Sequence, residues 1–327
     1  MRIADLLANR QHQWIELDRL CAVLETQRRR KLKAHEVSQF AALYRSACAD
    51  LALADAYHLP PNTVAYLHQL VGRAHNQLYR TRTFDYRNWG RKLFYDVPQQ
   101  IFGDTCVQLV FLIFWLLFGM SAILAANPES WPKFVDQVMG DEQVASLEEN
   151  FATPIAGRDA SINPVTAAMY IYHNTGIGLK CFAGGLLILP GLLITSYNAV
   201  VLGTSFGYMA RPDVSAGINF YHFVTAHGPF ELTAIALSAG AGLRLGLSWI
   251  KTDGMKRIDS LRKAATKTMP VMGAAMTLFF GAALIEGFVS PSAAPYVLKA
   301  VTAVLSSGLL MFYFVVLGYP REHPRAT

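Results

Sequence analysis

Ionisable side chains within the apolar segments of this chain include Lys180, His227, Glu231, Arg244, Glu286 and Lys299. Each costs roughly 2.5–3.5 kcal/mol to place at bilayer depth, so each needs a partner, an interface or a task. His227 and Glu231 are one helical turn apart, and on a continuous helix they share a face on which a proton can be relayed or a cation bound. Gly228-Pro229 between them equally marks a helix start, and a carboxylate two residues later favours the positive end of that helix. Under that second reading Glu231 is a capping acid, and the two readings are compatible if the helix start lines a cavity.

The other four have simpler expectations. Lys180 and Lys299 lie near segment ends and are expected to snorkel to water. Arg244 is close enough to Trp249 and Lys251 to do the same, or to pair with an acid on another span. Glu286 falls near the outer end of its segment, where exposure at the outer surface is expected. Asn198 can satisfy freed backbone groups and line any cavity that a broken helix creates.

No catalytic constellation accompanies these residues. A Gly-rich phosphate loop with its lysine, a HExxH helix and a GxSxG elbow are all missing from the sequence, and the candidate spans hold no Asp for intramembrane proteolysis. Cys21, Cys48, Cys106 and Cys181 show no metal-ligand spacing, and none lies in the segment expected to be exported. A non-enzymatic protein without a metal or cofactor is the expectation.

The elements that must position the polar groups are membrane helices. Thr105 to Ala126 is a run of 22 residues without an ionisable side chain, enough to cross a hydrocarbon core of about 30 Å. Further apolar stretches cover 176–209, 218–250, 269–289 and 293–319. Of 327 residues, 53% are hydrophobic and 16% charged, which predicts an all-α polytopic membrane protein. Residues 1–100 carry fifteen Lys/Arg against nine acids, and 127–175 carry two against seven. That asymmetry places the N-terminal region in the cytoplasm, 127–175 outside and the basic 251–267 loop inside, with both termini in the cytoplasm. The net charge of +6 is thereby a topology signal, and no nucleic acid is expected as a partner. The start has no apolar stretch of signal-peptide type, so the first span is expected to direct insertion.

This parity leaves one segment to explain. Residues 176–209 contain seven glycines and Pro190-Gly191, and a hairpin of half-length helices, about 176–189 and 192–209, satisfies it: four full spans plus a re-entrant hairpin. The rival is one long helix through 176–209, which puts the 251–267 loop outside. Gly203-x-x-x-Gly207 and Gly242-x-x-x-Gly246 allow backbones to approach closely.

Before the membrane, residues 1–83 predict a cytoplasmic bundle of three amphipathic helices. The first carries Ile3, Leu6, Leu7, Trp14, Leu17, Leu20 and Leu24 and closes at the basic string 28–33. The second runs from about Glu36 to Tyr57, and the third, after Pro60-Pro61, shows Tyr66, Leu70, Ala74 and Leu78 on one face. Residues 84–102 mix aromatic and basic side chains, with Trp89, Arg91 and Lys92 expected to contact the lipid bilayer surface and a turn expected at Pro98.

The order of several short motifs resembles the stage II sporulation protein M family. They are Arg10-x-x-x-Trp14-x-x-Leu17, Phe40-x-x-Leu43-Tyr44-Arg45, Asp50-Leu51-Ala52, and Tyr66-Leu67-x-x-Leu70-Val71-x-x-Ala74-His75. Further on come His173-Asn174, His227-Gly228-x-x-Glu231-Leu232 and Gly240 through Gly246. Asn198-Ala199 departs from the Asn-Gly often found there. The resemblance implies a bacterial inner-membrane protein akin to a partner in a peptidoglycan-remodelling complex, in a branch with a large N-terminal domain.

Two functions follow as expectations. One is a scaffold in a cell-envelope complex, working through its cytoplasmic bundle with other membrane or envelope proteins or, as a homo-oligomer, with further copies of itself. The other is a transporter or channel using the broken helix and Glu231. A watery cavity reaching both Asn198 and Glu231 favours transport; a dry, glycine-packed interior favours the scaffold.

Overall fold

The computed structural model describes residues 10–26, 34–78, 87–155, 157 and 159–320. Every regular element among them is helical, as the apolar periodicity predicts, and the chain is an all-α polytopic membrane protein. It divides into two compact units, Met1–Tyr86 and Arg87–Thr327. The basic string 28–33, residues 84–86 and the tail with Arg321 and Arg325 lie outside the described residues.

The first unit is a three-helix bundle: α1 (Gln11–Thr26), α2 (Ala34–Ala56) and α3 (Pro61–Leu78). Leu17, Cys21, Phe40, Ala54, Leu67 and Ala74 are fully or almost fully buried between the helices. On α3 the core face is Leu67, Leu70 and Ala74, while Tyr66 stands at its edge, 38% exposed, with its ring tilted against Trp14. Asp50 is buried completely on α2, where it accepts a 2.9 Å hydrogen bond from Trp14 Nε1 and pairs with Arg10. Arg73 on α3 reaches Asp18 and Glu25 on α1, so charge pairs fix the register that apolar packing leaves loose. The Arg73 guanidinium holds the Glu25 carboxyl below its usual range, and burial pushes the Cys21 thiol up to about 11.

The second unit opens with α4 (Arg87–Arg91), which runs through a π turn (Lys92–Asp96) into α5 (Val97–Phe102). Trp89, Arg91 and Lys92 are exposed along it. The expected turn at Pro98 is not made, because Pro98 occupies the first turn of α5, where a missing N–H is harmless; the chain bends after it, at Gly103-Asp104. Tyr313 Oη donates to the Leu93 carbonyl at 2.7 Å and Phe102 packs edge-on against Tyr319, so this segment is moored to the end of the last span.

Five helices are long and apolar enough to cross a membrane: α6 (Thr105–Ala126), α9 (Leu189–Met209), α11 (Gly228–Leu247), α12 (Arg257–Leu284, continued by a π turn, Ile285–Val289) and the one built on α13 (Tyr296–Met311). Between them lie α7 (Phe134–Asn150), α8 (Asn163–Gly185) and the short α10 (Gly217–Val224). The expected 127–175 loop is thus largely helical. The chain breaks at 186–188, where Ile188 takes φ +61°, a strained value for a β-branched residue. A single helix through 176–209 is excluded. The break is present, but α8 and α9 have 23 and 21 residues instead of half that length, and α9 is itself one of the five candidate spans, so the expected four full spans plus a re-entrant hairpin are not made. At 1.5 Å per residue α8 extends roughly 34 Å, a full bilayer core.

Helix α11 is the axis of this unit: residues 232–243 are all buried. Glycine is required where backbones touch. A Cβ on Gly203 or Gly207 would collide with the Phe118 or Ala122 carbonyl of α6, and one on Gly242 or Gly246 with the Phe182 or Gly185 backbone carbonyl of α8. Both GxxxG motifs therefore serve helix contacts within the chain.

Two outcomes test this packing. Gly207→Leu should force α6 and α9 apart and lower the melting temperature of the detergent-solubilised protein, a cost of about 1–3 kcal/mol or more, whereas Gly119→Leu, with open space around its Cα, should leave it unchanged. Asp50→Ala leaves Trp14 Nε1 and Arg10 without their acceptor and should destabilise the first unit by about 2–3 kcal/mol. Hydrogen exchange of the α1–α3 amides in the full-length protein should quicken by roughly 30-fold to 150-fold.

Candidate functional site

The buried polar groups of the second unit gather at its two ends. At one end Asp104, 4% exposed, caps α6: its Oδ1 accepts from the Cys106 and Val107 N–H groups at 2.9 and 3.3 Å. Its other oxygen pairs with Arg244 near the end of α11. Arg244 thus pairs with an acid instead of snorkelling, and the carboxylate meets both a helix dipole and a guanidinium.

The opposite end holds the candidate site. His227 closes the turn after α10 and is the N-cap residue of α11, whose first turn contains Pro229 and Glu231. The helix start expected from Gly228-Pro229 is confirmed, yet no side-chain hydrogen bond caps it. The Glu231 carboxylate instead faces the imidazole, its Oε2 3.7 Å from His227 Nε2. The other ring nitrogen, Nδ1, is 2.9 Å from Ser290 Oγ, and the His227 side chain is only 5% exposed.

Glu286 completes the group, contrary to the expectation that it lies exposed at the outer surface. It is 8% exposed and accepts a 3.1 Å hydrogen bond from Asn174 Nδ2 on α8. The physical reason is helical spacing: Glu286 follows Phe279, Ala282 and Ala283 at i+7, i+4 and i+3 on the face that α12 buries, and α8 covers that end of the helix. One polar atom from each of His227, Glu231 and Glu286 lies within 4.8 Å of the others, a set able to share a proton or hold a cation.

A cavity of about 430 Å³ reaches this cluster. Asn174, His227, Glu231 and Glu286 form its polar floor, and Phe151, Phe206, Phe220 and Phe223 are among its walls. Phe220 meets Phe151 and Phe206 edge-on at 5.2 and 5.1 Å, and Phe223 lies edge-on over the His227 ring at 5.6 Å. Helix α7 supports this aromatic roof: Tyr208 donates to Glu148, and Asn219 Nδ2 donates to the Phe151 carbonyl at 2.8 Å.

Of the residues singled out in the sequence, His227, Glu231 and Glu286 come together here and Arg244 stands at the far end. Asn198 Nδ2 donates to the Ile194 carbonyl of its own helix at 2.8 Å and does not line the cavity. Lys180 is exposed as expected, but Lys299 is fully buried, its ammonium donating to the Ser290 and Ser292 carbonyls at 2.7 and 3.0 Å. Its stem points back along its helix to the preceding turn, so it closes carbonyls and does not snorkel. Asn174 and Ser290 were missed. Asn174 had a signal, the His173-Asn174 pair, whereas Ser290 is unremarkable without the fold.

Residues 109–291, more than half of the chain, match the family model described as Stage II sporulation protein M, and residues 4–80 match one described as a domain of unknown function (DUF8413). No curated protein and no solved structure matches the chain. The family match spans both ends of the polar arrangement's central helix and the whole Asn174/His227/Glu231/Glu286 cluster, and the chain belongs to the Stage II sporulation protein M family.

Proposed function

We propose that this protein is a non-enzymatic scaffold or membrane partner in a cell-envelope complex of the bacterial cytoplasmic membrane, with both termini in the cytoplasm. The observation that carries the reading is the apolar packing of the central helix between the two polar ends of the bundle. From Leu232 to Leu243 α11 is buried among α6, α8, α9 and α12, with Ala234, Ile235, Ala236 and Ala241 at 0–1% exposure and glycine backbones in contact. A conduit needs polar groups along its length; here the polar cavity reaches no further along α11 than Leu232, a second cavity of about 740 Å³ beside Leu232, Thr233 and Leu237 is walled mostly by apolar side chains such as Phe111, Trp115 and Phe314, and Asn198 is turned to its own helix. An even number of membrane-length helices, α8 included, supports the common side for the two termini, and the basic 251–267 segment supports that side being the cytoplasm. The separately folded first unit supplies a surface for recruitment of other membrane or envelope proteins.

The transport reading retains one supporting observation, the cavity at Glu231. Capture of the tagged full-length protein from native membranes decides between the two. A stoichiometric complex with envelope proteins, together with proteoliposomes no leakier to protons or small cations than protein-free vesicles, is the expected outcome. Saturable flux that Glu231→Gln abolishes would overturn the scaffold, and labelling of Lys256 or Lys263 from outside intact cells would overturn the orientation.

A further inference from the structure

We propose that His227, Glu231 and Glu286 form a binding site for one divalent transition cation, of which Zn²⁺ best fits the donor set, built into the α7 end of the membrane domain. This goes beyond the scaffold reading and does not depend on it.

The donors are of the right kind and are already gathered. Zn²⁺ takes imidazole nitrogen and carboxylate oxygen at about 2.0–2.2 Å, which places neighbouring ligand atoms of a tetrahedral site roughly 3.3 Å apart. His227 Nε2 and Glu231 Oε2 are 3.7 Å apart, too far for a good hydrogen bond and close to the separation of two ligands on one ion. The whole set lies within 4.8 Å, so side-chain rotations of little more than 1 Å close it.

The surroundings prepare the imidazole as a ligand. Nδ1 is 2.9 Å from Ser290 Oγ, and in the tautomer whose Nδ1–H donates to that hydroxyl the neutral ring presents the Nε2 lone pair to the two carboxylates. Asn174 orients Glu286 in the same way, through its 3.1 Å hydrogen bond. Phe223 and its aromatic neighbours shield the group on the cavity side, and two carboxylates plus one dication form a neutral unit, the state that a low-dielectric site favours. No Lys or Arg among the described residues pairs with Glu231. The cavity leaves room for a water or a partner's side chain as the remaining ligand. The ion would clamp α11 to α12 where the two helices begin and end.

The purified full-length protein, stripped with chelator in detergent and titrated with Co²⁺ and then Zn²⁺, tests this. The expected result is visible Co²⁺ absorption that saturates at one ion per chain, is displaced by Zn²⁺, and is lost in Glu231→Gln and His227→Asn while circular dichroism and monodispersity are retained. Ser290→Ala, which touches no ion, should weaken affinity by about tenfold to a hundredfold, and this variant decides the matter if the ligand variants do not fold. Absence of saturable uptake by the wild type, uptake unchanged in folded ligand variants, or unchanged affinity in Ser290→Ala would overturn the proposal.

Discussion

Close backbone contact around α11 is the constraint on which the membrane domain depends. Lipid offers no hydrophobic drive to bring helices together, because a leucine is as comfortable against an acyl chain as against a neighbour. What remains is dispersion, which falls off within a fraction of an ångström, so helices must touch. Gly203 and Gly207 allow α9 to lie on α6, and Gly242 and Gly246 allow α11 to lie on α8. A bundle held in this way has little room at its centre, and its ionisable groups have been sorted to its two ends.

The sorting has an electrostatic logic. Asp104 sits at the positive pole of α6 and Arg244 near the negative pole of α11, so each charge has a helix dipole and a partner on its side. At the other end the carboxylates of Glu231 and Glu286 meet at the start of one helix and the finish of another, under an aromatic roof. Neither arrangement requires a charge in mid-membrane, where it would be most costly.

Much of this was legible in the sequence wherever the signal is local. The 22-residue apolar run, the Gly228-Pro229 helix start and the two GxxxG motifs depend on neighbours a few positions away, and each does in the structure what its pattern predicts. The break before Pro190 was visible too, though it falls at 186–188 and separates limbs of full length. Helix α8 was hidden because its first half, with Asn163, Thr166, His173 and Asn174, reads as a polar loop until Asn174 finds Glu286. Glu286 lies near a segment end, which predicts exposure, yet it shares the buried helical face of Phe279, Ala282 and Ala283 and is covered by α8; the Asp104–Arg244 pair joins residues 140 positions apart. In the first unit the three-helix pattern was plain, whereas Asp50 stood only in a short motif and its buried pairing with Trp14 and Arg10 appears with the fold.

Lys299 brings the end of α12 and the start of the last span under one constraint. Its ammonium fills two carbonyls of the connecting turn, so a positive charge lies at the negative pole of α12, hidden from hydrocarbon. Ser290, whose carbonyl it holds, is also the residue whose hydroxyl meets His227. The two final helices are thereby tied as a hairpin whose connecting turn solvates the buried ammonium with its own carbonyls, so the lysine needs neither water nor an acid as partner.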